Sequence, residues 1–311
     1  MADTCKAVTT LKTYWSFCPS LGAAIAFLVF FFLTFVAHVT QGIYYRKAYT
    51  WVISMSALWQ SITYILRIIS IKNPSSLGEY AGWFVLILIS PLWTNAFVYM
   101  VFGRMVWNYT PDATLWRVPA WRFGYCFVIL DIVAFIIQVY GAASAETSGN
   151  TIAQILRGIH IYMGGVAIQQ AFIFCFCAFA YKFWRKLLEQ KKTVNDQNPV
   201  SPDLSLQSGF TLLYALIAAL ILISLRIFFR LAEYSNGLQS TIPNHEAFQY
   251  CLDSLPMLLA LIILNIVHPG AIMRGPMCEI PSRKRRRVEG VRCKGDVRRC
   301  VSLELHAICD L

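Results

Sequence analysis

Arg226, Arg230 and Glu233 stand four and three residues apart, so on a helix they share one face. Further on, Glu246, Tyr250, Asp253 and Met257 are spaced four, three and four apart and share another. Both sets border long apolar runs, "LLYALIAALILISL" before the first and "LPMLLALIILNIV" after the start of the second. Charge in hydrocarbon is costly and ordinarily has a partner or a task. The two stripes are largely opposite in sign and are joined by a short loop, so they are expected to face each other, with Arg226 and Arg230 answering Glu246 and Asp253. Two chemistries fit. One is a clamp of buried ion pairs that fixes two helices and does nothing else. The other is the polar wall of a cavity that receives a charged group.

More polar residues interrupt other apolar runs: Gln60 and Arg67, Asn95, Asp131 with Gln138, and Gln169 with Gln170. Asp131 is the sharpest of them. It sits in "YCFVILDIVAFIIQ" with no basic residue within a helical turn or two. Either it holds a proton and hydrogen-bonds Asn95 or Gln169, or it meets the ammonium of a bound molecule.

The elements that must position these groups follow from composition. The 311 residues are 57% hydrophobic and only 14% charged, too little charge to cover a soluble domain of this size. A span of bilayer needs about 20 mostly apolar residues. Seven such stretches are present, at 21–39, 51–71, 81–102, 123–140, 158–181, 209–229 and 247–267. The expected fold is an all-α integral membrane protein of seven transmembrane helices. Residues 1–20 precede them, 21–270 form the bundle, and 271–311 make a basic tail without helical or domain character. Pro91 and Pro256 fall inside spans, where neighbours must satisfy the carbonyl each proline frees. Of 27 Lys and Arg residues, 20 lie on the side of the first, third and fifth loops and the tail, and 4 on the other side. The remaining three, Arg67, Arg226 and Arg230, lie in or at the edge of spans. The positive-inside rule then puts the N-terminus outside and the C-terminus in the cytosol. Arg67, Gln138, Arg226, Arg230, Glu233, Glu246 and Asp253 thus fall toward the outer side, with Gln60, Asn95, Asp131 and Gln169 near mid-depth.

Several other leads are weighed by the same frame. The net charge of +11 reflects cytosolic loops and tail, so no nucleic acid is expected. "RKRRR" at 283–287 is read as a contact for anionic lipid or a solvated tail rather than a nuclear signal. "NYT" at Asn108 lies in a cytosolic loop and stays unglycosylated. The first twenty residues lack a signal-peptide core, so the first span serves as the address. Cys126, Cys175, Cys177 and Cys251 read as small core residues. Cys5 and Cys18 can pair if the N-terminus is outside. His38 and His268 fall at one face and His160 and His245 at the other, which excludes one zinc site. No "GxxxxGK[ST]" occurs, so there is no P-loop. No catalytic set, metal or cofactor is expected, and the chain is not read as an enzyme.

The ordered motifs resemble the fungal seven-span lipid-translocating exporter family, which includes aminocholesterol-resistance proteins and a sphingoid long-chain-base exporter. The matching residues are "PS" at 19–20, "YILR" ending at Arg67, "SPLWTNAFVYMVFGR" from Ser90, Asp131 with Gln138 and Gly141, and "GGVAIQ" ending at Gln169. The longest block is "RIFFRLAEYSNG" followed by Glu246, "YCLDSLPM" and "NIVHPG". The resemblance spans roughly residues 14–275. The chain departs from it at Gln60 and Thr63, where similar proteins carry a glutamate and a glycine, which removes one mid-depth carboxylate.

The resemblance implies export or outward flipping of amphipathic lipids of the sphingoid long-chain-base type, with resistance to toxic amphiphiles as the outcome. It implies a plasma-membrane site, or a vacuolar or other endomembrane one, with membrane lipids and the lipid substrate as partners. A long-chain base needs a polar route for one ammonium. Asp131, Asp253 and Glu246 can neutralise it, and Gln60, Asn95 and Gln169 can hydrogen-bond it. The alternative is a seven-helix sensor or regulator of lipid asymmetry, whose basic loops and tail would meet cytosolic proteins. The absence of an internal repeat suits that reading. A retinal protein is excluded, because the seventh span has no lysine.

Overall fold

A computed structural model describes residues 5–10, 13–146, 151–197, 204–235, 245–274 and 278–281. The basic run at 283–287 and most of the tail lie outside these residues. Among the described residues, seven helices are long and apolar enough to cross a membrane: Leu21–Tyr45, Ala48–Lys72, Leu77–Tyr109, Ala120–Ala145, Ile152–Thr193, Ser205–Glu233 and Glu246–Ile272. The expected seven spans are all present. The helices overrun the apolar stretches most in the fifth span, whose apolar run ends at 181. There "KFWRKLLEQKK" keeps a helix-favouring composition after its hydrophobicity has gone.

Each span packs on the next, the seventh returns to the first, and the third and sixth also touch across the ring. One end of the bundle, the N-end, holds the start of the first, third, fifth and seventh spans. The other, the C-end, holds their finishes. At the N-end Cys5 and Cys18 form a disulfide. It closes a small loop that brings Trp15 flat against Trp83, with ring centroids 5.6 Å apart. Trp15 also donates its indole N–H to the Ser70 carbonyl at 3.3 Å.

Cys126, Cys175, Cys177 and Cys251 are not core residues: all four are exposed on the outside of the bundle. In lipid the outward face is as apolar as the inward one, so hydrophobicity alone does not sort the two. Small residues do mark the inward face. The fourth and fifth spans meet at Gly141, Gly158 and Gly165. A Cβ on Gly158 would lie 2.6 Å from the Ala145 nitrogen and 2.8 Å from the Gly141 carbonyl. Neither backbone can yield, so Gly158→Ala is expected to force the helices apart. A lowered midpoint of thermal unfolding in detergent, equivalent to about 1–3 kcal/mol, would register that strain. The same change at Gly164, whose Cβ position is open, serves as control.

Both prolines are accommodated. Pro91 has no N–H, so the carbonyl of Ile87 one turn earlier is left without its helical donor. Arg226 of the sixth span supplies one, with Nη2 2.7 Å from that oxygen. Before Pro256 the seventh helix relaxes into a π turn over Tyr250–Ser254. This turn inserts a residue and rotates the start of the helix relative to its remainder.

Candidate functional site

Twelve polar candidates emerge from the sequence, and eleven of them are buried, Glu246 alone being intermediate. They do not form one group. At the N-end two charge clusters stand side by side. In one, both Arg226 and Arg230 pair with Asp253, the first through Nε and the second through Nη2. Arg230 also reaches Glu233 at 2.8 Å. Each carboxylate oxygen of Asp253 therefore meets a guanidinium, and the sixth and seventh spans are tied together.

The second cluster centres on Arg67 of the second span. Its two terminal nitrogens donate to Glu246 at 2.8 Å and to Gln249 at 2.9 Å. The guanidinium carbon lies 4.8 Å from the Trp83 ring and 5.1 Å from both Trp15 and Tyr250. A delocalised cation enclosed by aromatic faces is favourably placed where water is scarce. The other oxygen of Glu246 accepts from the Ser20 backbone N–H at 2.6 Å. The N-terminal segment and the first, second, third and seventh spans all meet here.

This arrangement corrects two expectations. Glu246 does not answer the arginines of the sixth span; Asp253 takes both. Nor do Glu246, Tyr250 and Asp253 share one face. Glu246 and Tyr250 turn to the second span, where Tyr250 stacks near Tyr64 at 6.2 Å, and Asp253 turns to the sixth. The π turn is the physical reason, because a spacing of four and three residues fixes a common face only in a regular α-helix.

Toward mid-depth Asp131 is the one acidic or basic residue among the candidates. Asn95 donates to Asp131 at 2.9 Å, joining the third and fourth spans, and the phenol of Tyr99 lies beside the same carboxyl. Among the described residues Asp131 has no Lys or Arg partner, whereas Glu233, Glu246 and Asp253 all do. Gln138 does not approach Asp131. It donates to Gln169 across the fourth and fifth spans at 2.9 Å. Gln60 is buried in the second span, one turn on from Ser56, which bonds Thr94 and the Ser90 carbonyl. Sequence reasoning missed Gln249 and the aromatic enclosure of Arg67, and it met Ser20 and Tyr99 only as residues of matching motifs, without a role in the site. None carries a signal in spacing, since each acts across helices.

Between the third and fourth spans a groove of about 620 Å³ runs along the outside of the bundle. Met100, Trp121, Val128 and Ile132 line it over a floor of Gly103 and Gly124. Val128 and Ile132 flank Asp131 in the fourth helix. No group of His, Cys, Asp and Glu that could hold a metal occurs among the described residues.

A ring of seven apolar helices around a largely apolar core, with buried polar groups set into it, defines an integral multi-pass membrane protein. The chain belongs to the family described as RTA1 like protein, whose model matches residues 53–276. It is similar to an Emericella nidulans protein named "Probable lipid transporter atnI", 38% identical over 266 residues that cover 84% of this chain and 69% of the relative. A Saccharomyces cerevisiae protein named "Sphingoid long-chain base transporter RSB1" is 22% identical over 299 residues, 88% of this chain and 78% of its own. Another from that yeast, "Protoporphyrin uptake protein 1", is 28% identical over 212 residues, 67% of this chain and 65% of its own. No solved structure matches.

Proposed function

We propose that this chain moves amphipathic lipids of the sphingoid long-chain-base type across a membrane, outward, and so protects the cell from toxic amphiphiles. The observation that carries the reading is Asp131: a buried carboxylate at mid-depth whose neighbours are an amide and a phenol, with no cation against it among the described residues. Buried charges are ordinarily paired. A substrate ammonium would complete this pair, while the aliphatic tail rests in the apolar groove beside Val128 and Ile132. Asp253 and Glu246 already hold arginines, so they are assigned to the frame around the path rather than to the substrate. Gln60, Gln138 and Gln169 supply hydrogen bonds along it. One relative's name carries this substrate class and another's the broader class of lipid.

The N-end is taken as the outer face. The charge count supports this, and so does the Cys5–Cys18 disulfide, since such bonds persist in oxidising compartments. The plasma membrane is the proposed location, and the basic tail is proposed to touch anionic lipid. Purified protein in liposomes with a labelled long-chain base tests the reading. Transfer between leaflets should rise well above protein-free liposomes, and equal rates would overturn it.

A further inference from the structure

The C-end carries a separate cavity of about 480 Å³, between the finish of the first span, the start of the second and the residues after the seventh. Arg46, Lys47 and Arg274 line it together with one acid, Glu279, and with Tyr44 and Tyr45. The charges are placed unequally. Lys47 is only 7% exposed, and its ammonium lies 3.4 Å from the Glu279 carboxylate, which is 49% exposed. The cation is thus built into the protein, and the anion that answers it comes from the surface. Arg46 and Arg274 stand exposed at the rim. Arg46 adopts a left-handed backbone, φ 53°, at the end of the first helix, where glycine would be unstrained. Asn108 of the third span holds the Cys278 carbonyl at 3.1 Å and so fixes the residue next to Glu279.

Among the described residues that line the cavity, three cations face one carboxylate, and a buried ammonium is stabilised by a nearby anion. The guanidinium forks and the ammonium match the several oxygens of a phosphate better than a single carboxylate does. The volume exceeds that of a bare phosphate and suits a small headgroup. Tyrosines belong at the membrane–water interface, where headgroups lie.

We infer that this cavity is a binding site for a phosphate group, with Glu279 as the resident anion that holds the place when the site is otherwise vacant. The phosphate is that of an anionic lipid or of a soluble ester, and basic pockets at the ends of membrane helices are a recognised form for the former. The inference uses none of the residues of the transport path, and it narrows the proposed contact of the tail with anionic lipid to a built cavity.

The full chain, tail included, is reconstituted in phosphatidylcholine nanodiscs with or without a minor fraction of phosphatidic acid. Retention of that lipid and the unfolding midpoint are then measured. Phosphatidic acid should raise the midpoint, and Arg46→Gln with Arg274→Gln should weaken its retention about tenfold. Both residues are exposed, so the fold should survive the change. Glu279→Gln removes the competitor and should tighten retention several-fold, which binding by the tail alone would not do. In phosphatidylcholine discs, a midpoint raised by inorganic phosphate and not raised in the double variant assigns the site to a soluble ester. A response to phosphatidic acid alone assigns it to lipid. Equal retention by wild type and double variant, with no response to phosphate, overturns the site. Loss in the double variant without tightening by Glu279→Gln overturns the role of Glu279.

Discussion

Asp131→Asn is expected to slow long-chain-base transfer in proteoliposomes roughly ten- to a hundredfold, while expression and the unfolding midpoint stay near wild type. The magnitude is that of one hydrogen bond to a charged group, about 1.5–3 kcal/mol. The fold should hold because Asn95 donates to Asp131 through its amide, and an asparagine oxygen at the same place can accept that bond. Tyr99 beside it can donate as well. What disappears is the negative charge, the one thing a substrate ammonium needs and the frame does not. Asp131→Glu keeps the charge and should retain a substantial part of the rate. A neutral amphiphile of the same chain length should move at the same rate in wild type and Asp131→Asn. Unchanged transfer of the cationic lipid by Asp131→Asn would remove Asp131 from the path.

Asp253→Ala should do the opposite, costing stability first. It strips both Arg226 and Arg230 of their shared partner at a site where neither reaches water. Breaking a buried pair from one side costs on the order of 3–5 kcal/mol, because the opposite charge stays behind. An average polar contact between membrane helices is worth about 0.6 kcal/mol, so a loss of several-fold more identifies stranded charge rather than a missing hydrogen bond. The triple change Arg226→Leu, Arg230→Leu, Asp253→Leu, made together with Glu233→Gln so that the carboxylate paired with Arg230 is not left behind, strands no charge and should recover most of the lost stability. Unfolding midpoints of the single and combined variants decide this point. A single variant as stable as wild type would show that the cluster does not clamp the two spans. Transport measured on the combined variant answers a second question. Retained transfer confines the cluster to a clamp, and lost transfer in a stable protein places it on the route.

The sequence made the seven helices plain, because 20-residue apolar runs have few other uses. It also picked out most of the buried charged and amide side chains, though not Lys47 or Gln249, since charge or amide inside such a run is conspicuous. Partner choice was not legible. Asp253 and Glu246 look interchangeable as acids near the start of the seventh span, yet they face different helices. The cause is a π turn before Pro256, and no residue in "YCLDS" announces it. The same limit applies to the surface. Cys126 and Phe127 are neighbours in one apolar run, yet Phe127 is buried and Cys126 faces outward. Hydropathy reports that a residue tolerates oil. It does not distinguish oil from protein.

The bond from Arg226 to the Ile87 carbonyl makes the third span a jointed rod with a latch. Above Pro91 the rod ends at Trp83 and the aromatic enclosure of Arg67; below it, Asn95 holds Asp131. The same arginine that fastens the joint also pairs with Asp253. A movement that draws the sixth and seventh spans apart at the N-end must therefore pull on the latch, and the bend at Pro91 is free to change once it opens. One side chain thus joins the charge cluster at the N-end to the third helix, which carries Asn95 and through it holds Asp131.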